Sequence, residues 1–208
     1  QCLAGRPHTC RKLRFLGCPG QADGCLSEFI VMPEACCFPI PDAMSFEQAA
    51  LSEPLSIGVY AVKRSVPMRD ATIGILGAGP IGLSVLMPAL AGGAKRVYVT
   101  DKIDERLALA RTAGATWTGN PETEDIVASI LDAEPEKLDV VFECCGEQEA
   151  MDQAVDLLKP GGKVMMIGIP PTLSRWSFPV DTLRRQEVCL QNVRRQNGCV
   201  QEALDHIA

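Results

Sequence analysis

The feature that most constrains this chain is a glycine-rich turn, Gly77-Ala78-Gly79-Pro80-Ile81-Gly82. It fits the pattern G-x-G-x-x-G, which is weak when it stands alone. Here it follows an apolar run over residues 72–76 (TIGIL) and opens a helical run over residues 80–91, the context that the pattern requires. Gly77 permits the tight turn, Gly79 lets a pyrophosphate approach the backbone, and Gly82 lets the helix pack close to the strand. The free N–H groups of the helix N-terminus, with its partial positive charge, suit a phosphate. Pro80 and Ile81 lie in the first turn, where a proline removes no needed hydrogen bond. Pro88 falls in mid-helix and predicts a bend. Asp101 ends the next strand, 19 residues after Gly82. A carboxylate at that point accepts hydrogen bonds from the adenosine ribose and repels a 2′-phosphate, so NAD is expected over NADP. Lys102 and Arg106 stand close by and weaken that preference. The competing reading of the glycines is a tight turn without ligand, and of Asp101 a helix cap or a solvated acid.

The chain around this turn reads as strand–helix alternation. Strands are predicted over residues 72–76, 96–100, 115–118, 139–143, 163–169 and 188–193. Helices are predicted over residues 80–91 and 104–113, from Asn120-Pro121 onward, around Met151 to Leu158, and over residues 198–208. Near-continuous apolar strands between amphipathic helices imply a parallel sheet covered on both faces. The expected fold is therefore α/β, a doubly wound Rossmann arrangement of six parallel strands. Upstream the pattern differs. Residues 1–26 read as loop, residues 27–40 as short strands broken by Pro33 and Pro39, and Ser45 to Gln48 as a capping box. The helix that follows is expected to break at Pro54 and resume to about Arg64, and residues 170–186 read as loop.

Composition excludes several function classes. Among 208 residues, 20 Lys and Arg face 26 Asp and Glu, a net charge of −6, which argues against a nucleic-acid partner. A hydrophobic fraction of 47% is enough for a core and too high for general disorder. No apolar stretch reaches 18 residues, so no membrane span is expected. With no signal-peptide pattern either, the expected setting is cytoplasmic, with reduced thiols. The two histidines, His8 and His206, cannot build a His-rich metal site. Ten cysteines are many for such a domain. Cys2 and Cys10 form a weak pair by spacing, and two thiolates do not close a tetrahedral zinc site. By spacing alone Glu53, in Glu53-Pro54, is a helix-end carboxylate.

Taken together, these segments resemble the zinc-containing medium-chain alcohol dehydrogenase superfamily, and within it the sorbitol and threonine dehydrogenase branch. The resemblance rests on Cys2 and Cys10, DGCLSEFIVMP, AALSEPLSIGVYAV, GILGAGPIGL, VTD, ERLALARTAGA, FECCG and LLKPGGKVMMIG, in family order from Cys2 to about Arg195. It implies that Cys2 and Cys10 are the last two ligands of a C-x2-C-x2-C-x7-C structural zinc lobe. It implies that Glu53 lies at a catalytic zinc, and that Arg195 matches the arginine of a "GvfRy" motif that reaches the active site. Asn192 and Gln196 depart from that motif, so a solvated surface arginine stays an open reading. His8 is read as a surface imidazole rather than a substitute ligand.

The family's Gly-His-Glu pair and catalytic cysteine are not in these 208 residues. The resemblance therefore implies the middle of a longer chain. Residues 1–57 would be a remnant of a mostly-β, GroES-like catalytic domain, residues 58–194 an NAD-binding domain, and residues 195–208 the start of the return to the catalytic domain. The implied activity is hydride transfer from a secondary alcohol or polyol to NAD, with zinc as Lewis acid. The parent is expected to be a homodimer or homotetramer, and this part alone inactive. An NAD(H)-binding sensor without catalysis is the alternative.

Overall fold

The computed structural model describes every residue except 173. Its centre is a six-stranded, all-parallel sheet in the order β3-β2-β1-β4-β5-β6. The strands are β1 (Thr72–Leu76), β2 (Arg96–Thr100), β3 (Trp117–Gly119), β4 (Leu138–Glu143), β5 (Leu158–Met166) and β6 (Cys189–Asn192). The expected doubly wound α/β sheet is thus present, in the strand order of dinucleotide-binding folds. β1 is buried along its whole length, as a central strand covered on both faces must be. Alternation along the strands sorts the core into two layers. Ile73, Ile75, Val97, Val140, Phe142 and Met165 face one side. Leu76, Tyr98, Leu138, Val141 and Val164 face the other.

Among the described residues, eight α-helices flank or extend the sheet: α1 (Phe46–Ala50), α2 (Ser52–Arg64), α3 (Pro80–Ala91), α4 (Asp104–Thr112), α5 (Ile126–Ala133), α6 (Gln148–Leu157), α7 (Val180–Gln186) and α8 (Val200–Ile207). The α2–α3 contact explains the proline inside α3. Pro88 has no N–H, so the carbonyl of Ser84 has no donor four residues on. The helices approach closely at that carbonyl: a Cβ on Gly58 would stand 1.9 Å from the Ser84 oxygen. The missing donor and the missing side chain occupy the same place, on facing helices.

Several local expectations are corrected. Pro54 does not interrupt a helix. It is the third residue of α2, where no intrahelical donor is needed, and the break falls at Leu51 instead. The capping box at Ser45 is present, with Ser45 and Gln48 bonded reciprocally. Asn120 does not start a helix. Its Oδ1 accepts from the Glu122 N–H at 3.0 Å, a local turn, and α5 is capped by Asp125, which accepts from the Ala128 N–H at 3.0 Å. β3 begins at Trp117, because the Ala115 N–H still closes the end of α4 on the Ala110 carbonyl. β5 begins at Leu158 and passes through Pro160-Gly161-Gly162 with a register shift against β4. Residues 170–186 contain α7, braced by Arg184 and Arg185 on Asp181.

The largest departure lies at residues 27–40, where short strands were expected. The segment holds one 3-10 turn, Glu34–Cys36, and no strand. Phe29 is 90% and Val31 98% exposed. A strand needs a neighbour to accept its ladder hydrogen bonds, and among the described residues upstream of α1 only an isolated Leu16–Ala22 bridge forms. No helix among the described residues is long and apolar enough to cross a membrane.

Candidate functional site

The glycine turn joins β1 to α3 at the carboxyl end of the sheet. There β1 lies between β2 and β4, the point where the strand order reverses and a crevice opens. The backbone shows why each glycine is needed. Gly77 has φ +100, a conformation that L side chains rarely adopt. Gly82 packs against the start of its own turn, and a Cβ there would lie 1.8 Å from the Gly77 carbonyl oxygen. Around Gly79 there is open space: the nearest atom to a Cβ would be a guanidinium nitrogen of Arg106, at 3.8 Å. An open backbone at a helix N-terminus, overhung by one cation, fits an anionic pyrophosphate.

Asp101 directly follows β2 and is nearly buried, with 9% exposed. Its Oδ2 accepts from the Ala78 N–H at 2.7 Å and its Oδ1 from the Ile103 N–H at 2.9 Å. Arg106 stands 3.6 Å from Oδ2. One carboxylate thus holds the glycine turn, the loop after β2 and a mobile-length cation together, and each oxygen keeps lone-pair capacity for a further donor. Asn120 orders the same loop, donating to the Lys102 carbonyl at 3.2 Å and to Asp104 at 2.9 Å. A cleft of about 400 Å³ runs from Gly77 and Gly79 past Asp101, Lys102, Ile103 and Arg106 to Cys145. The sequence-predicted cofactor residues Gly77, Gly79, Asp101, Lys102 and Arg106 therefore line one cavity. Pro80, Ile81 and Gly82 form the first turn of the helix behind it.

The opposite wall is the end of β4, where Cys144 and Cys145 line the cleft. The resemblance places the loop opened by Gly146 on the nicotinamide side and reads the two cysteines as packing residues; sequence reasoning missed Glu143 beneath them. Cys145 is exposed as a residue, while its Sγ turns back to donate to the Leu76 carbonyl oxygen at 3.1 Å. A Cβ on Gly77 would lie 2.9 Å from that sulfur. Burial first, then the negative Glu143 and Asp101, push the Cys145 thiol up to about 12. Its thiolate fraction at pH 8 is correspondingly small. Allowing for the greater nucleophilicity of a more basic thiolate, Cys145 is expected to react with iodoacetamide roughly 50-fold more slowly than a free cysteine thiol. Peptide mapping of a labelling time course checks this. Glu143 is fully buried and holds the turn from beneath. Its Oε1 accepts from the Cys145 N–H at 2.7 Å and the Gly146 N–H at 2.6 Å. The sequence signal was available: a glutamate directly after the apolar Val140-Val141-Phe142 of the strand.

The remaining predicted residues lie at a second location. Glu53 is exposed in the first turn of α2. Burial, then Arg194, lower the Arg195 guanidinium from its ordinary value, while the charges of Glu53 and Cys18 raise it slightly. Arg195 has φ +52 and stacks on Phe15, with its guanidinium carbon 3.2 Å from the ring centroid. His8 is taken up by Tyr60, its Nε2 and the Tyr60 hydroxyl lying 3.0 Å apart. Burial lowers the His8 imidazole, and Arg6 and Arg64 lower it further. Cys2 is exposed and Cys10 half-buried, with the Cys10 Sγ accepting from the Lys12 N–H at 3.4 Å. Among the described residues, no three His, Cys, Asp or Glu side chains converge as metal ligands.

Comparison with known proteins identifies the family. The family model for zinc-binding dehydrogenases matches residues 80–208. An L-idonate 5-dehydrogenase of Vitis vinifera is 33% identical, over 93% of this chain and 54% of its own length. A sorbitol dehydrogenase of Bacillus subtilis is 36% identical, over 81% of this chain and 48% of its own. A crystal structure from Sinorhizobium meliloti, bound to NADP, superposes with a TM-score of 0.93 at 31% identity. That match covers all of this chain, 100%, and 61% of the other. The chain spans about half the length of the curated relatives it matches. The match beginning at Pro80 takes in the helix that follows the glycine turn and every later strand of the sheet, and the chain belongs to the zinc-binding dehydrogenase family.

Proposed function

We propose that this chain is the coenzyme-binding portion of a zinc- and NAD-dependent dehydrogenase of secondary alcohols or polyols. The observation that carries the reading is the coupling of Asp101 to the glycine turn through the Ala78 N–H, across an open backbone at Gly79. Asp101 is the ribose acceptor, Gly77, Gly79, Pro80, Ile81 and Gly82 present the pyrophosphate site, and Lys102 and Arg106 flank it. When bound, the nicotinamide supplies the hydride acceptor. The residues of the chain bind and orient it, and the turn at Cys144 to Gly146 excludes water from one side.

In this reading residues 58–194 are the coenzyme domain, and residues 1–57 and 195–208 belong to a catalytic domain. Glu53 and Arg195 face the substrate side. The zinc sites are incomplete within these residues. Cys2 and Cys10 each offer a ligand to a structural site, and Glu53 a carboxylate to a catalytic one, with the other ligands coming from further polypeptide. The outer strand β6 is the edge at which subunits of a dimer or tetramer pair, and the setting is cytoplasmic.

The test is paired titration of the chain with NADH and NADPH, alongside a sorbitol and butanediol oxidation assay. NADH is expected to bind at least tenfold more tightly than NADPH, with no turnover by the chain alone. Tighter NADPH binding overturns the cofactor assignment. Turnover by the chain alone overturns the assignment of the missing zinc ligands to other polypeptide.

A further inference from the structure

Glu143 has no assigned role and an unusual setting. It is 0% exposed, and no cation is paired with it among the described residues. The other deeply buried carboxylate, Glu134, pairs with Arg96 and accepts from the Tyr98 hydroxyl at 2.6 Å. At Glu143 both side-chain hydrogen bonds fall on Oε1, from the Cys145 and Gly146 N–H groups at 2.7 and 2.6 Å. Oε2 is buried without a hydrogen-bond partner. It faces Gly168: a Cβ there would lie 2.6 Å from Oε2 and 2.2 Å from the Gly146 nitrogen. The backbone of the same residue holds the next strand, because the Ile167 and Gly168 N–H groups both donate to the Glu143 carbonyl at 2.9 Å. One residue therefore ties the end of β4 to the end of β5, by side chain on one side and main chain on the other. Leaving a carboxylate oxygen buried and unpaired is costly. Packing alone does not account for a glutamate at this position.

The location supplies a use for it. Asp101, Lys102 and Ile103 line the cleft on the β2 side, and Cys144 and Cys145 line it on the β4 side. A dinucleotide whose adenosine lies at Asp101 crosses the crevice at Gly77, so its other half lies over the ends of β4 and β5. We propose that Glu143 is a positioning residue of the cofactor site, fixing residues 144–146 against residues 167–168 as the wall that receives the nicotinamide half. This rests on the cofactor assignment under Proposed function. Burial pushes the Glu143 carboxyl up, partly offset by the backbone N–H groups of Gly146, Cys145 and Glu147, while the Glu147 charge adds to the rise. A carboxyl raised in the folded state loses stability for the protein as pH rises past its ordinary range. A neutral isostere at pH 8 is therefore not expected to lower the melting temperature.

The experiment titrates wild type and Glu143→Gln with NADH, which reports both halves, and with ADP, which reports the adenosine half, and records melting curves at pH 8. Glu143→Gln is expected to weaken NADH about tenfold, to leave ADP within twofold, and to keep or raise the melting temperature. Gly168→Ala, whose Cβ meets the Gly146 backbone as well as Glu143, is expected to show the same NADH–ADP split with a lowered melting temperature, and it gives a second reading of the split if the glutamine variant does not fold. Unchanged NADH affinity overturns the inference alone, as does an equal loss of NADH and ADP with a lower melting temperature. Failure of wild type to bind NADH overturns the cofactor assignment and this inference with it.

Discussion

Gly82→Ala is expected to reduce NADH affinity by more than about 100-fold and to lower the melting temperature by roughly 5–10 °C. The added Cβ would lie 1.8 Å from the Gly77 carbonyl oxygen, and that contact is backbone, which cannot rotate aside. Overpacking of this kind costs about 3 kcal/mol. A chain of this size loses about 2–4 °C per kcal/mol, and about 1.4 kcal/mol corresponds to tenfold in affinity. Gly79→Ala separates the two effects. Gly79 has φ −70, and only the Arg106 guanidinium stands near its Cβ position. That variant is expected to keep the wild-type melting temperature and still lose NADH, because its methyl occupies the ligand's space. Calorimetric melting and NADH titration of the two variants check the pair. If Gly79→Ala binds NADH normally, the pyrophosphate does not lie on this turn.

The second large effect is expected at Asp101. A carboxylate that only repelled a 2′-phosphate would convert to NADP use when neutralised. Asp101 also accepts from the Ala78 and Ile103 N–H groups, one on each oxygen. In Asp101→Asn one of those N–H groups faces an amide NH2, donor against donor. A buried donor left unsatisfied costs about 1–3 kcal/mol, and the ribose acceptor is lost as well. NADH affinity is expected to fall about 30-fold or more, with no gain for NADPH, as measured by parallel titrations. A tenfold gain for NADPH would show that Asp101 acts by charge alone.

The strands, the glycine turn and Asp101 were legible in the sequence because their cause is local. β1 and β2 run over the residues expected of them, since apolar runs bounded by glycine and aspartate leave few alternatives. Residues 27–40 were not legible. Their pattern is that of strands, but a strand exists only with a neighbour, and none among the described residues supplies one. Asn120 carries a helix-start signal in Asn-Pro, yet its side chain is used across space on Lys102 and Asp104. Glu143 was overlooked for the same kind of reason. Its function depends on Cys145, Gly146 and Gly168 meeting in space, and no sequence spacing records the meeting with β5.

The central claim is that a nicotinamide dinucleotide lies across the 77–82 turn with its adenosine ribose on Asp101. A crystal structure of the chain grown with NADH tests it most directly. The account predicts density for the pyrophosphate at the N-terminus of α3, ribose hydroxyls within hydrogen-bond distance of the Asp101 carboxylate, and the nicotinamide half over the ends of β4 and β5. Cofactor density away from this crevice, or with the adenosine on the β4 side, would contradict it.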